Sequence, residues 1–288
     1  MNIKASAPGK LMLFGEHAVV HGYPCIVTTV SSRIYVEVEK TSKEFKIEAP
    51  QSKDTTFVEE TVKLFCEKYH VDNKILIKTY SDFSSKFGLG SSSAVTVATI
   101  IALSKLYEIE ISKKEIFDLG YKVIYTIQKV GSGFDVATAI YGGTIYFVTG
   151  GKVIKPLLVK DLSLVIGYSG IKADTSTLVK NLKPDFKIFD KIGKIVEEAK
   201  IALVNGDWKT TGELMNQNHK FLQDLGVSTE KLDKMCQVSV EAGAYGAKLS
   251  GAGGGDCMIA LVPKNKIKNV KSSIISVGGE IIKVKNNI

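Results

Sequence analysis

The chain has 288 residues, of which 44% are hydrophobic and 24% are charged. These proportions are typical of a folded globular protein and exclude a disordered chain, and the length predicts two domains. The net charge of +8 comes from lysines that are spread along the chain without interleaved aromatic residues. We therefore expect the chain to attract phosphorylated metabolites and not to bind nucleic acid.

Neither a secretion signal nor a membrane anchor is expected. The first residues are polar up to Pro8, and the most continuous apolar stretch, residues 94–103, has about half the length of a membrane span. The default prediction is a cytoplasmic protein without a membrane partner. None of the cysteines forms a Cys-x-x-Cys pair, which favours free thiols in a reducing compartment over a zinc or redox motif.

Hydrophobic periodicity predicts strands at the start of the chain and helices after them. Strands are expected at residues 26–30, 34–38 and 74–79. Helices are expected at residues 55–69, 92–107 and 113–128. The second of these helices is apolar on nearly all sides, which predicts that it is buried. A strand over residues 144–148 follows two glycines.

The pattern restarts near Gly150-Gly151, which predicts an N-terminal domain of residues 1–155 and a C-terminal domain of residues 156–288. The second half is expected to open with a strand, continue with four helical stretches, and close with a strand, a short helix and a strand. In chain order, the predicted limits are 162–168 for the first strand, 175–182, 186–205, 207–225 and 229–242 for the four helices, and 257–262 and 280–284 for the last two strands. Two mixed α+β layers with a cleft between them would result.

The strongest local motif is Gly88-Leu89-Gly90-Ser91-Ser92-Ser93 before the buried helix. Glycines let successive N–H groups point inward, and the helix start adds free N–H donors and the positive end of the helix dipole. A helix cap alone would need one serine, so we interpret residues 88–93 as a phosphate-binding loop. The motif is neither a P-loop, since Gly-Lys-Ser/Thr is missing, nor a dinucleotide fingerprint, since the third glycine is missing.

Three further motifs are bounded by glycines. Four glycines in the five positions 251–255 precede an apolar strand, which indicates close backbone approach to a ligand, with a flexible hairpin as the alternative. His17 and His21 are four residues apart, but no third ligand is evident and the surroundings are strand-like, which disfavours zinc. Gly131-Ser132-Gly133 precedes Asp135, which taken alone would be interpreted as a helix cap.

In this order, the motifs resemble those of the GHMP kinases. The segments that carry the resemblance are Ala7-Pro8-Gly9-Lys10, Gly88-Leu89-Gly90-Ser91-Ser92 and Gly251-Ala252-Gly253-Gly254-Gly255. The resemblance extends from Lys4 to about Val262. The resemblance implies a two-domain α+β fold, with an N-terminal domain like the second domain of ribosomal protein S5 and a ferredoxin-like C-terminal domain. ATP would lie over loop 88–93, with the acceptor between the domains.

Within the family, two acceptors are implied. Residues 15–22 and the Asn218-His219 and Leu232-Asp233 pairs resemble mevalonate kinases, whereas the segments around Gly88, Asp135 and Asp256 resemble phosphomevalonate kinases. We expect phosphorylation of the 5-hydroxyl of mevalonate, with 5-phosphomevalonate as the alternative acceptor. A non-catalytic, metabolite-binding regulator of the same fold is the alternative of another class. The resemblance also leaves a homodimer open.

The resemblance implies roles for individual residues. Asp135 would accept a proton from the acceptor hydroxyl, and Lys10 would offset the charge of the moving phosphoryl group. The residues implied to bind ATP are Gly88, Leu89, Gly90, Ser91, Ser92 and Ser93, and Ser92 would also hold Mg²⁺. The residues implied to bind the acceptor are Glu16, His17, Gly251, Ala252 and Gly253. One departure is Ile124, which stands where mevalonate kinases usually have a magnesium-binding glutamate.

Overall fold

A computed structural model describes residues 2–283, apart from the side chains at positions 175 and 176. The strands are β1 (Asn2–Phe14), β2 (Pro24–Lys40), β3 (Lys46–Glu48), β4 (Ile75–Ser81), β5 (Thr144–Val148), β6 (Val153–Leu157), β7 (Leu164–Tyr168), β8 (Gly246–Ser250), β9 (Cys257–Leu261) and β10 (Glu280–Ile281). The helices are α1 (Thr56–Tyr69), α2 (Ser91–Leu106), α3 (Lys113–Gln128), α4 (Phe134–Tyr141), α5 (Thr175–Asn181), α6 (Phe186–Asn205), α7 (Trp208–Asp224), α8 (Glu230–Glu241) and α9 (Ile267–Ser276).

The first six strands form one sheet, in the order β3-β4-β2-β5-β6, and β1 pairs with β2 outside this path. Strand β2 has 17 residues, so it is long enough to pair with β4 through its second half and with β5 through its first. The register between β1 and β2 shifts between Pro8 and Lys10. Such an irregularity re-aims the side chains that follow it. The shift therefore lies directly beside the lysine predicted to be catalytic.

Helix α2 is the centre of the N-terminal half. It contacts β1, β2, α1, α3 and α4, which explains why the sequence is apolar around the whole helix. The predicted burial of this helix is confirmed, because its central residues are fully enclosed: Ala94, Val97, Ala98, Ile100, Ala102 and Leu103. These contacts on all sides fix the position of the helix, and with it the position of its first residue, Ser91.

The remaining strands form a second sheet, in the order β10-β7-β9-β8, and every pair in it is antiparallel. Helices α7 and α8 pack against β8, and α9 packs against β7. A second apolar core lies between these elements, with Phe189 of α6, Leu222 of α7 and Met235 of α8 fully buried. The predicted α+β class is confirmed.

Most predicted elements are observed within two residues of their expected ends. The two short strands predicted at 26–30 and 34–38 are one continuous strand, β2. The last predicted strand is observed at Glu280–Ile281, and its expected end, Val284, lies outside the described residues. The first sheet ends with β6 at Leu157 and the second begins at Leu164, so the domain boundary at 155/156, which stays a prediction, falls inside β6.

All four cysteines are free thiols, three of them buried. Within residues 2–283, none of the helices combines the length and the apolar character that crossing a bilayer requires. The predicted cytoplasmic location stays a prediction.

Candidate active site

A cleft with a volume of about 510 Å³ is lined by residues from both halves of the chain. Ten of the residues singled out by the sequence line it: Lys10, His17, Gly88, Gly90, Ser91, Ser92, Ser93, Asp135, Gly251 and Ala252. Residues from four motifs that are far apart in the sequence thus meet at one place.

Three of the predicted site residues do not line the cleft. Leu89 is buried in the core, and its carbonyl oxygen accepts the backbone N–H of Lys10 at 2.9 Å. Glu16 is buried behind the cleft against a lysine described below. Gly253 packs on the backbone of Val227, where an added Cβ would lie 2.0 Å from the carbonyl oxygen. These residues shape the walls of the cleft from behind.

Lys10 and Asp135 form the charged pair of the cleft. The Lys10 Nζ atom lies 3.4 Å from Asp135 Oδ1 and donates a hydrogen bond to the Gly88 carbonyl oxygen at 3.3 Å. The side chain of Asp135 is 34% exposed and that of Lys10 only 11%. Among the described residues, none donates a hydrogen bond to Asp135 Oδ1. Oδ1 is itself buried beside Lys10, so the exposed part of the carboxylate side chain, which lines the cleft, lies on its other atoms.

The helix-cap interpretation of Asp135 is wrong. The N-cap of α4 is Gly133, with a φ of +92°, and Asp135 lies inside the first turn without a capping hydrogen bond. The strained turn before the helix, which glycine tolerates, lets the carboxylate face the cleft and not its own backbone. The Gly131-Ser132-Gly133 motif thus serves to present Asp135.

Two helix N-termini face the cleft. Helix α2 begins after Gly90, and α4 begins after Gly133, and neither N-cap residue provides a side-chain hydrogen bond. The first N–H groups of each helix are therefore free to bind an anion, and both helix dipoles present their positive ends. With the hydroxyl groups of residues 91–93, this arrangement suits a phosphate chain.

Loop 88–93 is held between the two halves. An added Cβ at Gly88 would lie 2.6 Å from Asp256 Oδ2, and an added Cβ at Gly90 would lie 2.9 Å from Lys10 Cγ. Both glycines also have positive φ, of +69° and +75°. A side chain at either position would push the loop away from Lys10 or from Asp256, so these glycines are required by space as well as by backbone conformation.

Loop 15–22 forms the opposite wall. An added Cβ at Gly15 would lie 2.6 Å from Cys25 Cβ, so this turn is tight. The His17 Nε2 atom lies 2.8 Å from the Ala252 carbonyl oxygen, and burial lowers the pKa of the ring. His17 is therefore neutral near pH 7, with Nε2–H as the donor and Nδ1 free of partners among the described residues. His21 instead stacks on Phe189, with ring centroids 4.8 Å apart.

Loop 251–255 connects β8 and β9, so it is the hairpin that the sequence offered as an alternative, and it also reaches the cleft. Asp256, with a φ of +52°, follows it. The Asp256 carboxylate accepts the backbone N–H of Ala173 at 3.0 Å and lies 3.3 Å from Lys172 Nζ. These two contacts tie the hairpin to the second half, and the contacts of Ala252 with His17 and of Asp256 with Gly88 tie it to the first.

Sequence reasoning gave no role to two charged residues, Lys172 of the cleft and Lys248, which precedes the glycines of loop 251–255 on strand β8. Lys248 has no exposed side-chain surface and pairs with Glu16. A lysine inside the otherwise apolar segment Gly246–Ser250 was a signal that could have marked it, since an unpaired lysine is almost never fully buried.

A second pocket of about 450 Å³ lies beside the cleft and shares Ser85, Ser91 and Ser92 with it. Its walls include the rings of Phe57 and Phe83. The two cavities meet at the start of α2, so one extended ligand can occupy both.

The cleft offers few ligands for a metal ion. Ile124 lines the cleft and is 6% exposed, so an apolar side chain stands where the family resemblance led us to look for a glutamate. Within residues 2–283 there is no cluster of three or more His, Cys, Asp or Glu residues that could hold a metal. The oxygen donors that line the cleft include the Ser92 hydroxyl and the carboxylates of Asp135, Asp174 and Asp256, and their small number suits an ion that keeps most of its ligands from phosphate and water.

Known proteins share these features. The family description "GHMP kinases N terminal domain" matches residues 56–143, and "GHMP kinases C terminal" matches residues 199–279. The mevalonate kinase of Thermococcus sibiricus is 35% identical, over 99% of this chain and 96% of the relative. The structure of L. major mevalonate kinase in complex with R-mevalonate is 27% identical, with a TM-score of 0.82 over 95% of this chain and 91% of that one. Streptococcus pneumoniae phosphomevalonate kinase, 21% identical with a TM-score of 0.87 over 99% of each chain, shares the fold.

Proposed function

The chain belongs to the GHMP kinase family, and from that premise we propose that it is an ATP-dependent kinase that phosphorylates the 5-hydroxyl of mevalonate. The predicted family and kinase class are confirmed. Relatives named mevalonate kinase that align over nearly the whole chain support this acceptor, as does the relative bound to R-mevalonate. The observation that carries the proposal is the Lys10–Asp135 pair, which lies in the cleft between two free helix N-termini.

The nucleotide binds across the two joined cavities. Its phosphates lie at the start of α2, where loop 88–93 offers N–H groups, hydroxyls and the positive end of the helix dipole. Its base occupies the second pocket, where Phe57 and Phe83 provide apolar walls. Magnesium enters with ATP as part of the substrate and neutralises charge on the phosphates, and Ser92 supplies a protein oxygen to it.

Phosphoryl transfer uses the charged pair. Asp135 accepts the proton of the acceptor hydroxyl while the hydroxyl oxygen forms a bond to the γ-phosphorus, and the bond from that phosphorus to the bridging oxygen of ADP breaks. Lys10 lies beside Asp135, where it offsets the negative charge that accumulates on the transferred group. The products are ADP and the phosphate monoester of the acceptor.

The acceptor lies between loop 15–22 and loop 251–255. The His17 ring lines the cleft, and its hydrogen bond to the Ala252 carbonyl oxygen fixes its orientation. Gly251 and Ala252 close the cleft on the opposite side. We expect an acceptor bound between these loops to place its hydroxyl beside Asp135, which lines the same cleft.

A second candidate acceptor is 5-phosphomevalonate. Lys172 and Lys180 line the cleft, and both are exposed enough to bind a second phosphate. Ile124, in place of a carboxylate, also removes a group that would repel it. A non-catalytic regulator is disfavoured, because a binder has no need for Lys10, Ser92 and Asp135 together.

The test is to incubate the purified protein with ATP and Mg²⁺, to offer mevalonate and 5-phosphomevalonate separately, and to follow ADP release. The proposal requires turnover with mevalonate. Turnover with 5-phosphomevalonate alone would assign the second candidate, and absence of turnover with either would refute both.

A further inference from the structure

The Lys248–Glu16 pair crosses from one half of the molecule to the other. Lys248 belongs to β8 of the second sheet, and Glu16 lies two residues beyond the end of β1 of the first. Both side chains are completely buried, with 0% of their surface exposed. The Lys248 Nζ atom donates hydrogen bonds to Glu16 Oε1 and to the Leu249 carbonyl oxygen. Lys248 is distinct from the two residues proposed to be catalytic, Lys10 and Asp135.

A buried pair of this kind is not explained by stability. Removing two charges from water is unfavourable, and apolar residues of similar volume serve a core equally well or better. Burial raises the pKa of Glu16 and lowers that of Lys248, while their proximity opposes both shifts. Whichever side chain holds the shared proton, the pair has no net charge.

Neighbouring contacts fasten the same part of the loop to the second sheet. The Ser250 hydroxyl bonds to both backbone groups of Met12, at 2.9 and 3.0 Å. The Asn218 Oδ1 atom accepts the Gly15 N–H at 3.5 Å. Among the described residues, the second oxygen of Glu16, Oε2, has no hydrogen-bond partner although it is buried. Loop 15–22 is therefore anchored at its base, with an acceptor atom of Glu16 still unused.

We propose that Lys248 is a positioning residue for the acceptor, acting through Glu16. It holds Glu16 and His17 against the β8–β9 hairpin, and it cancels the charge of Glu16 so that an acceptor bearing a carboxylate meets a wall without net charge. The inference rests on the proposed function, because it assumes an anionic acceptor beside His17. It also gives a role to the Asn218-His219 motif, which supports the same strand from α7.

Burial favours the uncharged form of the histidine and cysteine neighbours of the pair. It lowers the pKa of His17 and lowers that of His219 to about 4. Burial raises the pKa of the Cys25 thiol on β2 and of the Cys236 thiol on α8, which keeps both protonated. Asp233 of α8 lies 3.1 Å from His219 Nε2 and is common to all variants. Burial also lowers the pKa of His21, on the same loop.

The test compares acceptor KM in Lys248→Met, Glu16→Gln and the double variant, with ATP KM as the internal reference. Lys248→Met leaves an uncompensated Glu16, so we expect acceptor KM to rise about tenfold or more and ATP KM to change less than about threefold. The increase should grow as the pH rises, because burial raises the pKa of Glu16 and a larger fraction of it is then ionised. In the Glu16→Gln background the same substitution should change acceptor KM less than about threefold.

Lys264→Met is the matched control, since Lys264 is also paired to a carboxylate, Asp161 at 3.1 Å, but both side chains are exposed. Its kinetic constants should equal those of the wild type. The inference is overturned if Lys248→Met raises both KM values alike, or if it impairs the Glu16→Gln protein as much as the wild type. If Lys248→Met does not fold, the comparison of acceptor KM between the double variant and Glu16→Gln decides.

Failure of the proposed function would be seen separately, in the wild-type protein, as absence of mevalonate phosphorylation. The same variants are then compared with 5-phosphomevalonate, which is also a carboxylate. The role of Lys248 is judged from the ratio between variants and the identity of the acceptor from the wild type.

Discussion

Lys10→Met is expected to reduce kcat sharply while the protein stays folded. The substitution keeps most of the side-chain volume, and it removes a cation that contacts both Asp135 and the carbonyl oxygen of Gly88. Methionine can still fill the space beside Gly90 and Phe134. The effect therefore reports the charge and not a cavity.

The magnitude follows from the geometry. Two unit charges 3.4 Å apart interact by about 5 kcal/mol at an effective dielectric constant of about 20. Only the part of this interaction that strengthens as charge moves onto the transferred group affects kcat. Removal of one preorganised charge-stabilising contact typically lowers kcat by about 10²–10³-fold, or about 3–4 kcal/mol. We expect a decrease in that range.

The assay is ADP release with both substrates saturating. Lys4→Met is the control, because Lys4 lies on the same strand and also pairs with a carboxylate, Glu37 at 2.7 Å, but is 69% exposed. Exposed pairs contribute about 0–1 kcal/mol, so this variant should retain wild-type kcat. If Lys10→Met keeps a kcat within about threefold of Lys4→Met, the charge-stabilising role is refuted.

Three other changes test the site and the fold. Asp135→Asn should abolish turnover while nucleotide binding, measured by calorimetry, stays near the wild-type value, because the amide cannot accept the proton; normal turnover would exclude Asp135 as the base. Gly88→Ala should raise ATP KM by about tenfold, since its Cβ would lie 2.6 Å from Asp256 Oδ2, whereas Gly206→Ala, with the same φ of +69°, a similar ψ and its nearest neighbour at 3.9 Å, should not. His219 has a pKa lowered to about 4 by burial, so the unfolded chain takes up its proton first as pH falls from about 6.5, and stability should fall by up to about 3 kcal/mol by pH 4. Urea unfolding at pH 7 and pH 4.5 measures this loss, which His219→Gln should reduce; an equal loss in both proteins would contradict it.

The sequence predicts the long helices well because their signals are local. Helix α3 has a complete capping box, in which the Ser112 side chain accepts the Glu115 N–H and the Glu115 carboxylate accepts the Ser112 N–H, and its predicted limits are those observed. Helix α2 was identified by its continuous apolar composition. Both features are written in consecutive residues, and tertiary contacts only reinforce them.

The strands whose limits the sequence does not predict depend on partners elsewhere in the chain. Strand β6 contains Pro156, and this proline is tolerated because β6 is the edge strand of its sheet. Strand β1 is interrupted by a register shift beside Pro8, so its pattern does not alternate regularly. Strand β8 includes a lysine whose partner, Glu16, is 232 residues away. No local pattern can reveal such pairings.

The same limit applies to the site. The glycine motifs predicted which segments approach a ligand, but not that loops 88–93 and 251–255 hold each other through Gly88 and Asp256. The roles of Glu16 and Gly253 were assigned from resemblance, and the structure places both behind the cleft wall. Glycine content reports where the backbone is crowded; only the fold identifies which neighbour causes the crowding.

The β8–β9 hairpin connects the two substrate sites physically. On the acceptor side, the Ala252 carbonyl oxygen accepts a hydrogen bond from the His17 ring. On the nucleotide side, Asp256 lies against Gly88, and the Cys257 thiol donates a hydrogen bond to the Phe87 carbonyl oxygen at 2.9 Å. Any displacement of the second half relative to the first must therefore alter loop 15–22 and loop 88–93 together. Because one hairpin contacts both loops, a substrate that orders the hairpin from one side lowers the entropy cost of binding the other substrate. Positive coupling between nucleotide and acceptor binding follows from this arrangement.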